Sequence, residues 1–183
     1  MSIRSLASLV LFAAAASCGA PAVAVDTPAL DRGAEEERVV AALDALHRAA
    51  SEADGATYFA LFHPDAVYYG TDATERWSID EFRSFAKPYF DAGRGWTYAA
   101  TERNVFLSAD GHTAWFDERL WNEPYGETRG TGALVREAGP DGAWRFTQYN
   151  LSFPVPNDLA RDLVARIRAL QAEGAPSENG DGD

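Results

Sequence analysis

Four stretches of alternating apolar and polar residues follow one another in the second half of the chain, at 96–107, 112–122, 128–137 and 143–153. Each is rich in aromatic or β-branched residues. They are separated by turn signals: Asp110-Gly111, the Pro124-Tyr125-Gly126 stretch, and Gly139-Pro140-Asp141-Gly142. Strands joined this closely pair antiparallel, because a parallel crossover needs a dozen or more residues. This part of the chain is therefore committed to a meander that must bury one face. The residues before it supply the cover. Val39, Val40, Leu43, Leu46 and Ala50 recur at helical spacing within 34–52, with Glu35, Glu36 and Glu37 near the N-terminal end, where the helix dipole favours them. Asp54 caps a short second helix carrying Tyr58, Phe59, Leu61 and Phe62, which His63-Pro64-Asp65 ends. Ala66 to Thr71 reads as a strand. Ser78 and Glu81 form a capping box for a third helix with Phe82, Phe85 and Tyr89 on one face, kinked or shortened by Pro88. Asn157 or Asp158 caps a last helix with Leu159, Leu163, Ile167 and Leu170 on one stripe. Helices first and antiparallel strands after them indicate an α+β domain, its helices packed on one face of a curved sheet.

Composition narrows the function classes. The 183 residues suit one domain, and 46% apolar with 12% aromatic residues suffice for its core. A formal net charge of -12 repels phosphate backbones, so no nucleic-acid partner is expected. Cys18 is the lone cysteine, which excludes an internal disulfide and a cysteine-based metal site. His47, His63 and His112 fall in different predicted elements, and no pair has ligand spacing, so no metal is expected. The glycine-rich stretches sit in hairpin turns rather than between a strand and a helix, and no phosphate loop or other cofactor motif is visible.

The first residues read as an address. Arg4 gives a short basic start, Ser5 to Ala16 is apolar, and small residues cluster around Ser17. This is the layout of a secretory signal spanning 1–24, too short for a membrane helix. Two cleavage readings stand. Ala15-Ala16-Ser17-Cys18 is similar to a lipobox, with Ala15 where Leu is usual, and makes Cys18 a lipidation site. Cleavage after Ala22-Val23-Ala24 is the other, with Cys18 an incidental leader residue. Both export the protein to the cell envelope, either periplasmic or lipid-anchored to the outer membrane, as Gly19 after Cys18 suggests. A linker at 25–33, a domain with its C-terminal helix at 34–172 and a disordered acidic tail at 173–183 complete the organisation.

Four segments resemble one family. GTDATERW (Gly70 to Trp77) resembles the segment after the first strand of SnoaL-like domains of the nuclear transport factor 2-like superfamily. TAWFDE (Thr113 to Glu118) is similar to a middle strand, and RGTGALV (Arg129 to Val135) and WRFTQYNLS (Trp144 to Ser152) to the last two. The likeness spans roughly residues 35–153, in the right order. It implies a cone-shaped half-barrel, a curved antiparallel sheet wrapped around the N-terminal helices, with the C-terminal helix an addition. It also implies a pocket at the open end and a homodimer. Members include ketosteroid isomerases, polyketide cyclases and a kinase association domain, so the fold does not fix the function. Relatives often carry His near the positions of Gln148 and Asn150; two amides stand here, and amides cannot exchange protons near neutral pH.

Strand alternation sorts the pocket candidates. Ala114, Phe116, Glu118 and Leu120 share a core-like face that contains one carboxylate, and a buried carboxylate needs a partner or a cavity. Thr113, Trp115, Asp117, Arg119 and Trp121 share the other face, which suits solvent or a dimer. Arg129 shares a face with Thr131, Ala133 and Val135, and Gly130 and Gly132 lie on the other, where a close backbone approach or a bulge is expected. Trp144, Phe146, Gln148, Asn150 and Ser152 run from apolar to polar along one face, as a cone with a polar mouth requires, and leave Tyr149, Leu151 and Phe153 for a second subunit. The expected ligand site is Glu118, Arg129, Gln148 and Asn150, walled by Tyr69 and Trp77. Each has a plainer reading: a Glu118–Arg129 structural ion pair, amides that serve the backbone, tryptophans that are core.

Three functions fit this pattern. The first is an exported module binding a small apolar or mixed-polarity ligand, with membrane contact only through the lipid anchor. The second is a cofactor-free isomerase or cyclase with Glu118 or Asp117 as general base and Arg129 or Tyr69 steadying an enolate. The third is a dimeric scaffold with a filled cone.

Overall fold

The computed structural model describes residues 30–139 and 142–173. The expected signal with Cys18, most of the expected linker and the expected tail from 174 onward lie outside the described residues. Helix α1 (Arg32–Ser51) starts at Asp31, whose carboxylate accepts the Ala34 N–H at 3.1 Å. Its stripe of Val39, Leu43, Leu46, Ala49 and Ala50 is buried. Asp54 caps α2 (Gly55–Ala60) by accepting the Thr57 N–H at 3.0 Å. Strands β1 (Phe62–Tyr69) and β2 (Arg76–Ser78) come next. Helix α3 (Ile79–Asp91) begins at the expected capping box: the Glu81 N–H donates to Ser78 Oγ at 3.3 Å, and the Ser78 N–H donates to Glu81 Oε2 at 2.8 Å. Pro88 does not end α3, which runs on to Asp91. Strands β3 (Ala99–Leu107), β4 (Thr113–Asn122), β5 (Gly126–Arg136) and β6 (Trp144–Ser152) form the meander, and α4 (Asn157–Glu173) closes the described chain.

The sheet order is β2-β1-β6-β5-β4-β3. All neighbours are antiparallel except β1 and β6, which run parallel, a departure from the purely antiparallel sheet read from the sequence. The pairing follows from topology: the chain reaches β6 from β1 through α3 and the whole meander, a connection long enough for a parallel return. The open, curved six-stranded sheet folds around α1, α2 and α3 as a cone-like half-barrel. Leu43 and Leu46 meet a floor that includes Ala114, Phe116, Leu120, Leu134 and Phe146, all buried.

One irregularity re-aims β6. Ala133 pairs with Gln148 but Leu134 with Phe146, so Thr147 is an extra residue facing no partner on β5. Such a bulge shifts the alternation by one position. Trp144 and Phe146 point inward before it, and Tyr149 and Leu151 point inward after it. Gly132 makes the bulge possible: a Cβ there would lie 2.2 Å from the Gln148 carbonyl oxygen. Where the same part of β6 meets β1, the pairing jumps from Phe62–Phe146 to Val67–Gln148, and β1 accommodates His63-Pro64-Asp65 as an irregular stretch. The last helix also departs from expectation. No residue of α4 is buried, and Leu159, Leu163, Val164, Ile167 and Leu170 all face outward.

Candidate functional site

Glu118 points into the cone from β4, between Phe116 and Leu120, and its side chain is fully buried. Directly opposite on β5 is Gly130, whose missing side chain leaves it room. A Cβ at 130 would lie 2.9 Å from the Tyr149 hydroxyl, 3.1 Å from Leu120 Cδ1 and 3.4 Å from Glu118 Oε2. Burying a lone carboxylate is costly, so its partners decide what it is. His47, one turn after Leu43 on α1, meets Glu118 Oε2 through Nε2 at 2.8 Å. Arg103, the register partner of Glu118 on β3, donates from Nε to Oε1 at 2.5 Å. Its Nη1 donates to Asp44 at 2.7 Å and to the Val40 carbonyl at 3.4 Å. Burial pulls the Arg103 guanidinium's pKa down; the Asp44 hydrogen bond and the Glu118 charge more than offset it, and the pKa is raised. The chain His47–Glu118–Arg103–Asp44 thus fastens α1 to two strands and runs from the interior to the surface, where Asp44 is exposed.

Three buried phenols surround the histidine end. Burial raises the pKa of Tyr58, Tyr68 and Tyr149. For Tyr149 the neighbouring Tyr68 and Glu118 add to the effect, while Arg103 opposes it. All three stay protonated and can donate an O–H. Tyr68 lies flat on Phe82, with ring centroids 3.7 Å apart, and stacks on Tyr149 at 5.5 Å. The space beside His47 is small. A void of about 10 Å³, lined also by Leu46, Tyr58, Tyr68, Tyr98 and Tyr149, holds one water at most. Above it opens a cleft of about 230 Å³ whose walls include Trp77, Phe85, Trp96, Tyr98, Tyr125 and Glu75. The void and the cleft share Tyr68, Trp96, Tyr98 and Leu151. Larger recesses lie between α2 and α3 (about 560 Å³) and between α1 and β3 (about 910 Å³). Both open on the outside, and neither is lined by His47 or Glu118, although Arg103 and Asp44 form part of the α1–β3 recess. Among the described residues no group of three His, Cys, Asp or Glu side chains is placed to hold a metal ion.

Of the residues expected in the pocket, the structure brings Glu118 to the interior and Trp77 to the cleft. The other four lie elsewhere. Arg129 is exposed on the outer face of β5, beside Arg119, and the Glu118–Arg129 pair does not form; Arg103 takes that role. Gln148 is exposed, and Asn150 sits between the buried Tyr149 and Leu151, because the bulge turned the amides out. Tyr149 and Leu151, expected to cover a second subunit, are core for the same reason. Tyr69 is paired with Asn150 on the outer face under the Arg76 guanidinium, 5.8 Å from its ring centre; Tyr68 is the wall. Asp117 accepts from Asn104 Nδ2 at 3.0 Å, and Arg119 pairs with Glu127 and Glu102 rather than with Asp117. His47 and Arg103 do not emerge from the strand alternation that gives Glu118, although both carry a signal. His47 is the polar position on an otherwise apolar helical stripe, and Arg103 alternates with Val105 and Leu107.

Residues 39–156 match the family model of the SnoaL-like domain. The chain belongs to that family. No curated protein sequence matches it. Solved structures with the same fold include an NTF2-like protein of unknown function from Pseudomonas putida, 14% identical, TM-score 0.57, covering 69% of this chain and 91% of that one. A protein of unknown function from Mycobacterium tuberculosis is 16% identical, TM-score 0.56, covering 80% and 92%. A candidate dehydratase of the NTF2-like family from Streptomyces avermitilis is 16% identical, TM-score 0.55, covering 68% and 99%. These structures share the fold of this chain; α4 lies beyond the segment that the family model matches.

Proposed function

We propose that this SnoaL-like protein is an exported small-molecule-binding domain whose ligand sits in the aromatic cleft above His47. The cleft carries the reading: about 230 Å³ of open space, walled by Trp77, Trp96, Tyr98 and Tyr125 and continuous in its lining with the buried polar groups. Apolar walls with a few convergent polar groups are how small-ligand sites are built. Export to the envelope, with or without a lipid on Cys18, rests on the N-terminal pattern. Dimerisation rests on the family and on the outer sheet face, where Phe106, Trp115 and Trp121 are exposed and Phe106 stacks on Trp115. Native mass spectrometry of the protein purified from its own envelope tests both. The expected species is a dimer with a reproducible added mass, lost in Trp77→Ala. A bare species that Trp77→Ala leaves unchanged would sink the binding reading, and a monomer the dimer.

Proton transfer is the second reading, and one contact favours it. Glu118 holds His47 through Nε2, the arrangement of a general base and its orienting carboxylate, with protonated phenols alongside. Candidate dehydratases and ketosteroid isomerases occur among proteins of this fold. It ranks second because a 10 Å³ void admits no substrate; Tyr68, Trp96 or Tyr98 must first move. Loss of proton exchange from a bound carbon acid in His47→Gln, with binding intact, is the expected result, and retained exchange refutes it.

A further inference from the structure

The charged groups around the mouth are of one sign. The 230 Å³ cleft adjoins a second recess of about 530 Å³, and Trp96, Tyr98 and Tyr125 line both. Among the described residues the one charged side chain lining the cleft is Glu75, and the one lining the recess is Glu123. Among the described residues no lysine, arginine or histidine lines either space. Arg76, next to Glu75 in sequence, is directed over the Tyr69 ring on the outer face of the sheet.

Glu75 is not a loose surface carboxylate. Its Oε2 accepts the Asp72 N–H at 3.1 Å, and its own N–H donates to the Asp72 carbonyl at 3.0 Å. The tight 70–75 turn holds it over Gly70, where a Cβ would lie 2.2 Å from Oε2. The carboxylate is thus fixed at the rim by the backbone. An anionic ligand entering here would meet two carboxylates, and a neutral one would use the rings alone. A cation gains from the ring quadrupoles and from both carboxylates, and an aromatic enclosure is how proteins recognise quaternary ammonium groups.

We propose that the mouth binds a small organic cation of the quaternary-ammonium or protonated-amine class, its head among Trp77, Trp96, Tyr98 and Tyr125 and its charge answered by Glu75 and Glu123. The assignment rests on the ligand-binding reading and narrows it. It is tested by titrating the protein with choline and with 3,3-dimethylbutan-1-ol, the uncharged carbon isostere of choline, followed by tryptophan fluorescence and calorimetry. Choline should bind at least tenfold more tightly than the alcohol. Glu75→Gln should weaken choline threefold or more and leave the alcohol unchanged. Tyr125→Ala, which removes an exposed ring and leaves the core intact, should weaken choline as well. Equal affinity for the two probes overturns the cation assignment while leaving a ligand pocket in place. Binding of neither overturns it too, and the mass retained by the natively purified protein then decides the pocket by itself.

Discussion

Replacing Glu118 by Gln keeps the shape of the side chain and deletes a charge that has no solvent to turn to. Its carboxylate is fully buried and has two partners, His47 at 2.8 Å and Arg103 at 2.5 Å. Removing one member of a buried pair costs about 3–5 kcal/mol when the other charge is stranded. Arg103 is not stranded, since Asp44 holds it at 2.7 Å, and the new amide still offers His47 one hydrogen bond, worth about 1 kcal/mol. The expected loss is therefore about 2–3 kcal/mol, a fall of about 5–12 °C in melting temperature for a domain of this size. Asp117→Asn is the control. One position away, that side chain faces outward and bonds only Asn104 at 3.0 Å, so its change should stay within about 0.5 kcal/mol. Urea denaturation at pH 7 measures both. A double-mutant cycle with His47→Gln should give a coupling of about 1–2 kcal/mol. If Glu118→Gln is as mild as Asp117→Asn, or the cycle is additive, the buried chain of charges is not what joins α1 to the sheet.

Three further outcomes follow from the packing. Gly130→Ala places a methyl 2.9 Å from the Tyr149 hydroxyl and should cost about 1–3 kcal/mol while shifting the Tyr149 ring resonances; an unchanged melt and spectrum would contradict the close approach. Tyr58, Tyr68 and Tyr149 have pKa values raised on folding, so their contribution is present below the ordinary phenol value of 10.0 and is lost as pH rises beyond it. Stability should fall above pH 10 and their phenolate absorbance appear only with unfolding; full phenolate absorbance of the folded protein would refute their burial. Ser78 hydrogen bonds hold the Glu81 carboxyl below its ordinary 4.5, so the capping box stabilises above that value and is lost as pH falls through the folded one. Ser78→Ala should lower the melting temperature by about 2–5 °C at pH 7 and by clearly less at pH 3; an equal gap at both would refute it.

The architecture was legible because it depends on signals that survive any local detail. The capping box of α3, the Asp54 cap, the helical stripe of α1 and the turn between β3 and β4 each act within a few residues, and each stands where the sequence places it. The site was half legible. Glu118 is read by simple alternation along β4, which has no bulge. Unbroken alternation through Thr147 puts Gln148 and Asn150 inside and Tyr149 outside, opposite to the structure, and what admits the break, Gly132 on the neighbouring strand, acts across the sheet rather than along the chain. Arg129 followed the same alternation outward: Gly130 is its inward neighbour, and it is the glycine that serves the site. His47 and Arg103 could be found only by asking what would neutralise Glu118 from α1 and β3 at once, which is a question about tertiary neighbours.

The bulge at Thr147 acts as a switch on the identity of the pocket. Because the side chains of a strand alternate, a β6 that kept Thr147 but ran without the bulge would exchange Tyr149 and Leu151 for Gln148 and Asn150 at the interior without altering a single residue of the lining itself. A greasy, phenol-bearing wall would become an amide-bearing one through the loss of that one bulge. A scaffold with such a wall can change the kind of molecule it accepts without a substitution in the wall itself, while the cone, its caps and its helices stay where they are.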